Sequence, residues 1–163
     1  EALRCSGARV KHSSQPHATV TPAEADLVVL SDNLVADPRM QRDLLRQGVA
    51  HLAVRVRDGT GLVGPLVIPG VTSCLGCADL HRRDRDAAWP AVAAQLRDTV
   101  GVADRATVLA TAALALSQVN RVIGAVRGSD PEPPQALNAT LEFDVHAGSI
   151  VARHWPKHPL CSC

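Results

Sequence analysis

Two short cysteine pairs, far apart in the chain, constrain this sequence more than any other feature. Cys74-Leu75-Gly76-Cys77 forms one pair and Cys161-Ser162-Cys163 the other, with roughly eighty residues between them. A zinc ion takes four soft donors in a tetrahedron, and short-spaced pairs supply two corners each. A lone C-x-x-C is ambiguous between a redox pair and a metal half-site. Two pairs at long separation favour metal over redox chemistry or over four unrelated reduced thiols. The expectation is one structural zinc at Cys74, Cys77, Cys161 and Cys163, clamping the tail onto the middle of the chain. His154 and His158 are alternative donors to one of these thiols, and Cys5 reads as a bystander. A four-cysteine site has no open position, so such a zinc holds structure and does not activate water.

The clamp needs a core to hold onto. The chain has 163 residues, enough for one domain with a buried interior. Its aromatic content is 2%: Phe143, Trp89, Trp155 and no tyrosine. The core is therefore expected from Val, Leu, Ala and Ile, a composition that suits parallel strands buried on both faces by helices. So few aromatic rings argue against single-stranded nucleic acid as a partner, because that recognition needs stacking platforms. A formal net charge of +1 points to no polyanion partner either. The first residues, EALRCSGARV, contain no apolar signal-peptide region. The longest apolar stretch, around Val108–Leu116, reads as too short for a bilayer. A cytoplasmic protein with no membrane partner is expected, and there cysteines serve as thiols or zinc ligands. The abrupt ends suggest a fragment of a longer protein.

The pattern along the chain reads as helix, strand, helix, strand pair, helices and a final hairpin. Glu1–Leu3 is helical and His17–Val20 a weak strand. Asp26–Ser31 (DLVVLS) is a short apolar run bounded by polar residues and reads as a buried parallel strand. Asp37 and Pro38 open a helix that stops at Gly48. His51–Arg57 alternates as a strand and meets the turn Asp58-Gly59. Gly61–Ile68 is a strand that Gly64 and Pro65 should bend or push to an edge. Short helices follow at Ala78–Asp86 and Trp89–Leu96. The longest helix, Asp104–Val126, repeats Val108, Leu109, Ala112, Leu116, Val119, Ile123 and Val126 at spacings of three and four. Residues 127–135 read as an internal linker, and Asn138–Val145 with Ser149–His154 as a hairpin. The expected fold is α/β: a Rossmann-like partial sheet with helices, then a long helix and an antiparallel hairpin, zinc-stapled.

Few other residues carry readable chemistry. Asp32 and Asn33 follow the carboxyl end of the best strand, where open α/β sheets bind ligands. A carboxylate there can hold Mg²⁺ with substrate phosphates. The same pattern also fits a turn or helix-capping aspartate. The run Asp79, His81, Arg82, Arg83, Asp84, Arg85, Asp86 fits either contact with an acidic ligand or peptide, or a solvated helix face with internal charge pairs. His12, His17 and His51 lack partners at readable spacing. No G-x-G-x-x-G and no G-x-x-x-x-G-K-[ST] occurs, so a complete nucleotide site is not expected in this chain.

DLVVLSDN, a helix, a strand pair, GLVGPLVIPGVTSCLGC, a long helix and a distal cysteine pair together resemble the ThiF/MoeB/HesA superfamily, the ubiquitin-activating type of adenylyltransferase. The resemblance spans roughly Asp26 to Cys163 and implies one ThiF-like domain over residues 1–163, corresponding to the C-terminal portion. It implies that Asp32, with Asn33 beside it, helps hold Mg·ATP, whose glycine-rich loop lies upstream of this strand in the family. SCLGCADLHRRDRDAAWP and HWPKHPLCSC are similar to a narrower branch of actinobacterial ThiF-like and cyclodehydratase-associated proteins. Members of that branch bind the leader of a precursor peptide for thiazole/oxazole modification.

Three functions are compatible with this. The chain is part of an adenylyltransferase that activates the C-terminal carboxylate of a small protein or peptide, with Mg·ATP bound only in the parent protein and Asp32 as its catalytic-site residue. Alternatively it is a non-catalytic, zinc-stabilised leader-peptide-binding module that serves a partner enzyme. A third reading is a homodimerisation domain using the Asp104–Val126 helix.

Overall fold

Five aliphatic runs become five strands of one sheet. The computed structural model describes residues 2–14, 19–129 and 132–163. The strands are β1 (Val28–Ser31), β2 (His51–Arg57), β3 (Thr60–Val67), β4 (Ala139–Asp144) and β5 (Ser149–His154). They lie side by side in chain order. Only β1 and β2 run parallel; every later pair is antiparallel. The sheet is thus mixed, and the predicted hairpin joins it directly through β3 rather than standing as an appendage. The helices are α1 (Ala2–Cys5), α2 (Pro38–Gln47), α3 (Leu75–Arg85), α4 (Trp89–Leu96) and α5 (Arg105–Val126).

Local chemistry explains most boundaries. The Asp37 carboxylate accepts the Arg39 N–H at 2.7 Å and Pro38 occupies the first turn of α2. Gly48, at φ 70°, ends that helix in the left-handed conformation that costs glycine nothing. Asp104 caps α5 through the Thr107 N–H. Asp58 and Gly59 both have positive φ, as a tight two-residue hairpin between β2 and β3 requires. The predicted strand at His17–Val20 lies partly outside the described residues, and Thr19 and Val20 are not in a strand. Two residues of the predicted 127–135 linker, 130 and 131, also lie outside them.

β3 is the middle strand and not an edge, so of the two outcomes expected at Gly64 and Pro65 the irregularity is found and the edge is not. The register explains how it tolerates them. Leu52 pairs with Leu66 and Val54 with Val63, so two residues of β3 oppose one of β2 in a bulge. The β4 ladder ends at the Val63–Leu141 pair, so Pro65 is not asked for an N–H on that side.

Alternation along β2 divides the core. Leu52 packs with Val63, Leu66, Ala115, Val119, Ala136 and Leu141 beneath α5. Its neighbour Ala53 packs on the other face with Val67, Cys74, Leu75 and Cys77. Leucine, valine and alanine fill these layers with Trp155; among the described residues no isoleucine is buried. The stripe predicted on α5 is rotated. Thr107, Thr111, Ala115, Gln118 and Val119 face inward, whereas Leu109 is 63% and Val126 80% exposed. Hydrogen bonds account for the polar stripe. Thr111 donates to the Thr107 carbonyl, and the Gln118 side chain accepts the Ala136 N–H at 3.1 Å. By length and composition alone α5 is apolar enough to cross a membrane, a reach the interrupted apolar run had understated.

His51 is wholly buried, with Nδ1 3.0 Å from the Val49 carbonyl and, among the described residues, no partner for Nε2. Burial pushes its pKa below the ordinary value, with the Val49 contact opposing that shift. The folded chain therefore refuses a proton that the unfolded chain accepts below about pH 6.5. Stability from this group is complete above that pH and is lost as pH falls. Urea midpoints measured from pH 8 to 5 should decline at the acid end, and His51→Gln should flatten that decline. An unchanged slope in the variant would show that His51 does not contribute.

Candidate metal centre and the adjoining cleft

The bend after β3 delivers the first thiol pair. Thr72 bridges it by accepting the Ile68 N–H at 2.8 Å, and the Asn138 side chain fixes the next turn by accepting the Ser73 N–H at 2.7 Å. Cys74 then stands at the N-cap of α3 and Cys77 within its first turn. The tail after β5 brings the second pair. The Trp155 N–H bonds the Asn138 carbonyl at 2.7 Å, so one asparagine anchors both segments.

All four sulfur atoms lie within 4.8 Å of one another. Cys74 Sγ is 3.5 Å from Cys161 Sγ and 3.9 Å from Cys77 Sγ, and Cys77 Sγ is 3.5 Å from Cys163 Sγ. A tetrahedron with zinc–sulfur bonds of about 2.3 Å has edges of about 3.8 Å, so the donor set fits one such ion. Cys74 and Cys77 are buried, Cys161 is half-buried and Cys163 exposed. Burial pushes the Cys74 thiol well up. Burial also opposes ionisation of Cys77, but the His158 N–H, 3.3 Å from its sulfur, and the neighbouring thiols outweigh it and hold the pKa down at about 7.

Neither histidine replaces a thiol. His154 is exposed on β5. His158 spends both ring nitrogens elsewhere: Nδ1 accepts the Leu160 N–H at 3.1 Å, and Nε2 lies 2.7 Å from the Asp84 carboxylate. Its role is to aim a backbone N–H at Cys77. Cys5 is exposed on α1, outside the thiol cluster.

Asp32 stands directly after β1 with φ 80°, an uncommon value for a non-glycine residue. The Gly101 N–H bonds its carbonyl at 3.2 Å, and Leu34 bonds back to the Thr99 carbonyl at 2.9 Å. Gly101 has to be glycine here, because a Cβ would collide with the Val56 carbonyl. Asp32 is not a helix cap; Asp37 performs that task. The structure leaves Asp32 and Asn33 exposed on the loop at the carboxyl end of the parallel strand.

Sequence reasoning missed a cleft on the α3 side of the sheet. A small cavity of about 60 Å³ adjoins the Leu34–Ala36 segment that follows Asp32. It shares Arg55, Arg57, Arg82 and Trp89 with a larger cleft of about 260 Å³ over β3, β4 and β5. The strand pattern HLAVRVR held the signal, since Arg55 and Arg57 share a face with the buried Ala53. Arg82 is fixed there by Asp79 at 2.8 Å, and its guanidinium lies over two rings, 5.1 Å from Trp89 and 4.6 Å from Trp155.

The fold is shared with solved structures of E. coli MccB and of a heterocyclase. E. coli MccB with ATP matches at 19% identity and TM-score 0.59, over 84% of this chain and 38% of that one. MccB with AMPCPP and MccA gives 19% and 0.61 over the same shares. A heterocyclase in complex with substrate and cofactor gives 16% and 0.66, over 84% of this chain and 20% of that one. The chain thus spans about two-fifths of MccB and a fifth of the heterocyclase. No family model and no curated protein matches it.

Proposed function

We propose that this chain is the zinc-stapled, peptide-holding part of an ATP-dependent peptide-modifying protein of ThiF-like architecture. The observation that carries this reading is the pair of adjoining clefts that reach from the Leu34–Ala36 segment after β1 to Arg153 on β5. A peptide lying in them would have one end beside the carboxyl end of β1, where ligands of open α/β sheets bind. Similar folds have been crystallised with ATP, with MccA and with a heterocyclase substrate. Zinc at Cys74, Cys77, Cys161 and Cys163 would fix the cleft's Trp155 wall, and reduced thiols suit a cytoplasmic location. Asp32 and Asn33 would face Mg·ATP, which when bound supplies an adenylyl group to a carboxylate. Backbone strain at Asp32 fits such a role, since strained residues concentrate at functional sites.

The chain carries neither glycine-rich phosphate motif, so by itself it holds peptide without turning over ATP. Panning a random displayed-peptide library against the zinc-loaded chain should enrich peptides relative to a heat-denatured control. Adding Mg·ATP and those peptides should give no ATP–pyrophosphate exchange. Failure to enrich any peptide would remove the peptide-holding reading. Exchange by the chain alone would place the whole activation reaction within it.

A further inference from the structure

The cleft has a charge pattern that says more about its ligand. β-Ladder register sets its floor. Arg55 on β2 stands opposite Leu62 on β3, which stands opposite Glu142 on β4, so these three project to one face. Arg57 lies two residues along β2 on that same face. Thr140 stands opposite Arg153 on β5 and extends the floor. Arg82 and Arg85 of α3 approach from above, with Arg85 5.6 Å from the Trp155 ring centroid.

Five guanidinium groups therefore meet in one cleft against three carboxylates, Asp79, Asp86 and Glu142, and only two of the five sit in ion pairs. Asp79 takes Arg82, and Glu142 takes Arg153 through two bonds of 2.6 and 3.1 Å. Among the described residues, no carboxylate pairs with Arg55, Arg57 or Arg85. Burial, and then the charge of Arg82, press the Arg55 pKa down to about 10 against the opposing pull of Asp79 and Glu142, so it stays a cation at neutral pH with no carboxylate in direct contact.

Resting on the peptide-holding reading, we infer that this cleft binds an extended acidic peptide segment, with carboxylates at alternate positions pairing with Arg55 and Arg57. Spacing supports the match. Residues two apart on a strand lie about 6.7 Å apart, which is also the spacing of alternate side chains on an extended peptide. Planar guanidinium groups bind carboxylates with two parallel bonds. Half-buried Trp89 supplies apolar wall for the peptide's intervening side chains, while Trp155 lies beneath Arg82 and backs the cleft. A phosphate group is the poorer fit. Phosphate cradles use helix N-termini or runs of free backbone N–H groups. Here the floor amides are engaged in the sheet, and the α3 N-terminus carries the thiol cluster instead.

The test uses the zinc-loaded chain and a fluorescent eight-residue peptide alternating Glu with Ala, its Gln counterpart, and pyrophosphate as competitor. The Glu peptide should bind at least tenfold more tightly than the Gln peptide, and its affinity should weaken with added salt. Binding should perturb the emission of Trp89 and Trp155, the only tryptophans in the chain. Arg57→Gln with Arg85→Gln, both at exposed positions, should weaken binding at least tenfold with unchanged circular dichroism and zinc content. Arg121→Gln, on α5, should leave it unchanged. Equal binding of the two peptides, or no effect of the paired Arg57 and Arg85 changes, would overturn the inference, as would pyrophosphate displacing the peptide at lower concentration than the peptide itself needs. If library panning still enriched neutral peptides, only the acidic specificity would fall. If it enriched none, the peptide-holding reading would fall with it.

Discussion

Replacing Cys77 with serine should strip the chain of its metal and release its C-terminal tail. The free energy of zinc binding at a structural site is on the order of 10 kcal/mol. That is comparable to the whole stability of an ordinary domain, about 5–15 kcal/mol. Zinc binding here would be inseparable from holding the tail against α3. Protein purified without chelator should carry about one zinc per chain by elemental analysis, as expected for a single four-thiol site. Cys77→Ser should hold less than about a tenth of that. Limited proteolysis should then cut between β5 and the end of the chain, and chelation of the unaltered protein should reproduce both changes. Cys5→Ser is the control and should alter neither, because Cys5 lies outside the thiol cluster. A wild-type chain that emerges metal-free, yet melts no differently from Cys77→Ser, would end the zinc assignment.

Trp155→Ala should cause the next largest loss. Trp155 is 2% exposed and is among the largest fully buried side chains. Its Nε1 donates to the Thr140 hydroxyl at 2.9 Å, and its ring lies under the Arg82 guanidinium. Truncating a buried aromatic ring to alanine costs about 3–5 kcal/mol. The Thr140 hydroxyl would also lose its partner. Trp155→Phe should cost less, about 1–2 kcal/mol, since most of the ring stays and only the donor goes. Urea unfolding of zinc-loaded protein would read both. A loss below about 1 kcal/mol for the alanine variant would mean that the tail packs loosely, as for a surface substitution.

The sequence announced the thiol cluster and most elements because those depend on short-range chemistry. Capping by Asp37, the stop at Gly48 and the Asp58-Gly59 turn are each decided within a few residues. The cysteine spacing carried long-range information because tetrahedral coordination admits few partners. The position of β3 was harder to read. Gly64 and Pro65 argue locally for a bend or an edge, and only the register with β2 and β4 decides for the bulge that admits them to the centre. The face of α5 was misread because buried threonine and glutamine count as polar until their hydrogen bonds are known. The arginine cleft was hidden for a similar reason. Alternation in HLAVRVR reads as a core face and a solvent face, whereas α3, α4 and Trp155 roof the second face over. Asp32 was legible as a position at a strand end, and its φ of 80° was not.

The ends of the sheet have a further consequence. Among the described residues β1 and β5 each have one ladder partner, and β5 exposes Ile150 and Val151 on its surface. Unpaired amides beside aliphatic side chains are a template for another strand, whichever chain provides it. Storage life of the purified chain should therefore follow protein concentration as much as temperature, and a charged residue in place of Val151 is the natural way to lengthen it.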